Sequence, residues 1–174
     1  MRPVGLALVV FFAFLLAACA GEEEAPVSPA ASPVASPTLP TAAAPVATAA
    51  PVSFITEDNL TIEGRLFGTG ETAVIFAHMF PNDQRAWWKF AGEVGAQGYT
   101  ALTFDFRGYG ETRGRKDIPH IDRDLIAAVR YLHERDYQRV ILVGASMGGT
   151  AALKAAARDE FEGLVAGVVA VSAP

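Results

Sequence analysis

The chain has 174 residues, a formal net charge of −5, 51% hydrophobic residues and one cysteine. Arg2 and Glu22-Glu23-Glu24 apart, every charge lies beyond residue 52, where 13 Lys/Arg stand against 16 Asp/Glu without a basic stripe, so nothing argues for a nucleic-acid partner. A single cysteine allows no internal disulfide, and the lack of H-E-x-x-H, a Cys/His cluster, G-x-x-x-x-G-K-[ST] or an early G-x-G-x-x-G implies no metal and no cofactor.

The front of the chain reads as a targeting segment, residues 1–19. Arg2 gives a minimal positive start, and residues 4–18 are wholly apolar or glycine. That run has the length of a signal core and falls short of the roughly 20 residues a spanning helix needs. Its end, Leu16-Ala17-Ala18-Cys19, resembles the bacterial lipobox. The resemblance implies a lipid on Cys19 that anchors the protein in the cell envelope, with its domain facing outside the cytoplasm. An ordinary secretory signal with an incidental cysteine, or an uncleaved anchor, are the other readings. Residues 20–52 then read as a tether. Seven of the 11 prolines lie between Pro26 and Pro51, among Ala, Ser, Thr and Val, with no aromatic residue and no charge after Glu24. Such a stretch buries too little apolar area to offset its ordering entropy and should be an extended spacer.

Residues 53–174 are long enough for one compact core. Residues 53–56 and 61–67 read as short strands around a Glu57-Asp58-Asn59 turn. The continuous apolar run 73–77 has the pattern of a buried parallel strand. Residues 84–96 place Trp87, Phe90, Ala91 and Val94 on one helical face, Trp88 points elsewhere, and Gly98 ends the helix. Residues 100–106 give the next strand. Residues 118–135 put Ile121, Leu125, Val129 and Leu132 at near-helical spacing. Strand 140–143, a small-residue helix over 149–158 and strand 164–172 complete the order β-β-β-α-β-α-β-α-β. That order predicts an α/β fold, a mostly parallel sheet with helices on both faces.

Between the fifth strand and the third helix stands Gly144-Ala145-Ser146-Met147-Gly148. A strand, a sharp turn with serine at its apex and a helix form the pattern of a nucleophile elbow. The flanking glycines, Gly144 and Gly148, give room for a tight turn. The blander reading is a glycine-rich loop whose serine merely caps the helix.

With this motif, Phe104-Asp105-Phe106-Arg107-Gly108-Tyr109-Gly110-Glu111-Thr112 after the fourth strand and Ala77-His78-Met79-Phe80-Pro81 after the third, residues 53–174 resemble the α/β-hydrolase family. The flavour is that of dienelactone-hydrolase-like or serine-peptidase-like members. The resemblance implies Ser146 as nucleophile toward an ester, thioester or amide of a small-molecule or peptide substrate, through an acyl-enzyme. It implies the backbone N–H groups of Met147 and Phe80 as the oxyanion hole, although Met79 stands where the family usually has glycine. His78, Arg107, Gly108 and Gly110 become structural loop residues. His120 and His133 read as surface residues, and Arg113, Arg115 and Lys116 as a solvated basic patch. The family's acid follows its seventh or sixth strand and its histidine the eighth, so both are expected beyond residue 174. The sixth strand then stands as an apolar edge, with Val165, Val168, Val169 and Val171 lacking a neighbour. A lipid-anchored, non-catalytic binding module on the same scaffold is the alternative, as is a partner chain or unusual base that completes the site. Oligomeric state is not legible.

Overall fold

Two five-residue runs, Ala73–Ala77 (β3) and Thr100–Phe104 (β4), are buried at every position. Strands reach that state only at the centre of a sheet covered on both faces. The computed structural model describes residues 48–173. The targeting segment, Cys19 and most of the expected tether lie outside the described residues. The remaining strands are β1 (Ala50–Ile55), β2 (Thr61–Phe67), β5 (Val140–Ala145) and β6 (Val165–Val171). The sheet order is β1-β2-β4-β3-β5-β6. β1 and β2 run antiparallel to each other, as do β2 and β4, while β4, β3, β5 and β6 are parallel.

Side-chain alternation assigns the two faces. On one face Phe67, Val74, Phe76 and Ala101 pack with Ala91, Trp87 and Val94 of the helical segment that ends in α1 (Trp88–Ala96). On the other, Ile75, Leu102, Phe104 and Leu142 pack against α2 (Asp122–His133) and α3 (Met147–Ala156), through Leu125, Val129, Leu132, Ala151 and Ala155. The alanines of α3 let it approach the sheet closely, which a small-residue helix does best.

Several boundaries differ from the sequence reading. β1 begins at Ala50, so Ala50-Pro51-Val52, assigned above to the tether, pair with β2 as an edge strand. Pro51 is tolerated there because an edge strand leaves one row of N–H groups unpaired. β4 stops at Phe104 rather than residue 106: the Asp105 amide still reaches the Glu63 carbonyl of β2, but the Phe106 amide donates to the His78 ring. The first helix opens with a 3₁₀ turn, Gln84–Trp87, capped by the Asp83 carboxylate on the Arg85 N–H. Phe90, expected on the core face, is about half exposed and meets Phe76 only edge-on at 5.6 Å. Trp88 is partly buried beneath the Arg65 guanidinium, 4.8 Å from its ring.

Candidate active site

Parallel strands point their carboxyl ends the same way, so the loops after β3, β4 and β5 gather at one edge of the sheet, where α/β folds place their ligands. Ser146 stands there, directly between β5 and α3. Its backbone is at φ +47°, ψ −118°, a left-handed conformation that a non-glycine residue adopts at a cost of about 1–3 kcal/mol. Its side chain makes no capping bond to α3, which removes the reading of a mere helix cap. The residue is half-buried rather than sealed. The turn is pinned on both sides: the Ser146 N–H donates to the Val171 carbonyl at 2.8 Å, and the Ser146 carbonyl accepts from the Thr150 N–H at 3.0 Å.

The two glycines of the motif are fixed by close approach. A Cβ on Gly144 would lie 2.2 Å from the Gly148 carbonyl oxygen, and one on Gly148 would lie 2.3 Å from that of Ala77. The second contact sets the first turn of α3 against the start of the loop after β3, where Phe80 follows. Among the described residues, neither the Met147 nor the Phe80 N–H has an acceptor. The Phe80 ring is exposed and meets Tyr109 at 90° and 6.5 Å, so it forms part of the rim rather than packing under the loop.

His78 is fully buried and both ring nitrogens are occupied. Nε2 accepts from the Phe106 N–H at 3.1 Å, and Nδ1 lies 3.1 Å from the Met79 carbonyl. Since Nε2 must accept, Nδ1 carries the proton and donates to Met79. Burial pushes the imidazole pKa below its ordinary value, which favours this neutral form. His78 therefore ties the loop after β3 to the loop after β4, and its ring stands edge-on to Phe106 and Tyr109. His120 is half-exposed and paired with Asp117 at 2.9 Å, and none of the hydrogen bonds of the described residues joins Ser146 Oγ to a histidine.

The loop after β4 rests on two buried charged groups. Asp105 accepts from the Gln84 N–H at 2.8 Å, from Gln84 Nε2 at 2.9 Å and from the Glu111 N–H at 2.8 Å, while Gln84 Oε1 accepts from Thr103 Oγ1. Gly110, at φ +47°, lies against that carboxylate, where a side chain would collide with it. Arg107 forms a bidentate pair with Asp58 at 2.8 and 3.1 Å, and donates through Nε and a terminal nitrogen to Asp124 at 2.8 and 2.7 Å. Bonds from Arg107 first, then from Thr56, hold the Asp58 carboxyl well below the usual carboxylate range. Gly108 takes φ +75° and approaches the backbone of Arg115 and Lys116. Sequence reading placed Arg107, Gly108 and Gly110 in this loop but not the partners Asp58, Asp124 and Gln84. A buried arginine demands carboxylates, yet neither its burial nor which carboxylates fold onto it can be read from spacing.

Comparison with known proteins agrees with this fold. Residues 72–174 match the family model for the alpha/beta hydrolase fold. The uncharacterized protein YfhR of Escherichia coli is 25% identical over 123 residues, covering 65% of this chain and 43% of that protein. An epoxide hydrolase of Caballeronia sordidicola is 33% identical over 89 residues, covering 48% of this chain and 26% of that protein. The esterase Pf2001 of Pyrococcus furiosus superposes with a TM-score of 0.61 at 24% identity, covering 66% of this chain and 49% of that one. The chain thus spans between about a quarter and under half of the length of the curated relatives it matches. By the span of the family match and by its sheet, this chain belongs to the alpha/beta-hydrolase-fold family.

Proposed function

We propose that the protein is a serine hydrolase acting on an ester, thioester or amide of a small-molecule or peptide substrate, with Ser146 as nucleophile. The carrying observation is the strained, uncapped and half-open Ser146. Ser146 Oγ bonds to the acyl carbon and its proton passes to a base. The tetrahedral oxygen is held by the Met147 and Phe80 N–H groups, and the bond to the leaving group then breaks as that group takes the proton. Water reverses the sequence and frees the acid. An epoxide is a poor substrate for this apex. Serine would form an ether that water does not cleave, whereas an aspartate would form a hydrolysable ester. His78 cannot be the base, since both its nitrogens are engaged. The reading therefore assigns the base and its orienting acid to residues outside those described.

In the full-length protein, a fluorophosphonate probe should label Ser146, and Ser146→Ala should lower 4-nitrophenyl ester hydrolysis at least about a thousandfold. An unlabelled, inactive protein would leave the non-catalytic binding module as the better reading. The same proposal includes a lipid on Cys19 and attachment to the cell envelope. Labelled palmitate should be incorporated by the protein and not by Cys19→Ser.

A further inference from the structure

Ion pairing divides the cations of this domain unevenly. Of the 13 Lys and Arg among the described residues, eight lie within 4.0 Å of a carboxylate. Three of the five that do not, Arg113, Arg115 and Lys116, fall within four consecutive residues of the loop after β4. The other two, Arg135 and Arg139, lie just before β5, at the opposite end of the sheet. An acidic domain leaving three adjacent cations free at its carboxyl-end rim is the observation to explain.

This stretch is held in place. The Gly108 N–H donates to the Arg113 carbonyl at 3.2 Å, and Gly108 abuts the backbone of Arg115 and Lys116 so closely that a Cβ would lie 2.6 Å from the Lys116 nitrogen. Lys116 Nζ stands 4.4 Å from the centre of the Tyr109 ring and 5.9 Å from that of Phe80. Tyr109 in turn reaches Met147 Sδ with its hydroxyl at 3.8 Å, and Met147 is the neighbour of Ser146. The carboxylates nearest in sequence are engaged elsewhere: Asp117 with His120, and Glu111 with Arg65. Aromatic faces attract an ammonium but do not neutralise it.

We propose that Lys116, with Phe80 and Tyr109 as its walls, is the recognition site for a carboxylate carried by the acyl substrate, so that anionic esters are preferred over neutral ones. This rests on the reading of Ser146 as nucleophile. The bound substrate places its scissile carbonyl at Ser146 and its free carboxylate against the Lys116 ammonium. Arg113 and Arg115 add a positive field that draws the anion to a domain of the same sign.

The test uses the full-length protein with mono-4-nitrophenyl adipate and its methyl ester, which differ by one charge. The expected ratio of kcat/KM favours the anion, falls about five- to tenfold in Lys116→Gln through KM, returns in Lys116→Arg, and shrinks with added salt. Arg139→Gln removes the same charge at the far end of the sheet and should leave the ratio unchanged. A parent enzyme that prefers the methyl ester, or a ratio unaltered in Lys116→Gln, overturns the proposal while leaving Ser146 as nucleophile intact. If neither ester is hydrolysed, fluorophosphonate labelling decides the reading of Ser146 and the anion site is read separately from the Met147 methyl resonance. A shift on titration with adipate in the parent but not in Lys116→Gln supports the site, and no shift in the parent overturns it.

Discussion

Ser146 holds a backbone conformation that glycine would adopt without strain. Ser146→Gly should therefore raise stability by about 1 kcal/mol while Ser146→Ala, still bearing a Cβ, stays near the parent. Both remove the hydroxyl and should be equally inactive, so urea unfolding midpoints set beside ester turnover separate strain from chemistry. His78 gives a second test at this scale. Because burial lowers its pKa below 6.5, the unfolded chain takes up a proton that the folded chain refuses once the pH drops below that value. Its contribution to stability is complete above pH 6.5 and declines as the pH falls toward the folded value. Unfolding midpoints measured between pH 7.5 and 5.5 should fall with acid in the parent and more shallowly in His78→Asn.

Between elements, the Arg107 guanidinium joins the β1–β2 turn, through Asp58, to the start of α2, through the fully buried Asp124. Arg107→Met would leave Asp124 as a buried charge without its partner, a loss of about 3–5 kcal/mol by chemical denaturation. Gly148→Ala is a steric test: its Cβ needs the space of the Ala77 carbonyl, so α3 must shift, at a cost of about 1–3 kcal/mol and most of the turnover. The elements themselves were largely readable. Apolar runs located β3, β4, β5 and β6, and helical spacing located α2, because burial on one or both faces leaves a periodic trace. Where the chain is held by contacts distant in sequence, the trace is lost. Pairing with β2 extends β1 back to Ala50, and Asp105 converts the expected end of β4 into a loop. The elbow was legible because its glycines respond to local crowding. The oxyanion-hole reading of Phe80 rested on resemblance, and its exposed ring was not foreseen.

For the molecule as a whole, β6 has a strand neighbour on one side only among the described residues. Val169 and Val171 are about half exposed, while Val165 and Val168 pack against the main core. An apolar edge of this kind templates pairing with another chain. Residues 48–174 produced alone should elute as concentration-dependent oligomers on light-scattering chromatography, and Val169→Lys with Val171→Lys should shift them toward monomer. The sequence marked this strand by its apolar run over 164–172. It could not say that the Val171 carbonyl also holds the Ser146 amide, which links the edge to the turn. The Asp105 carboxylate has a practical consequence. By gripping the amides of Gln84 and Glu111 at once, it acts as a rivet through the floor of two rim segments. A protein engineer could rewrite residues 79–82 or 113–116, even at altered length, and expect the sheet beneath to keep its register so long as that rivet stays.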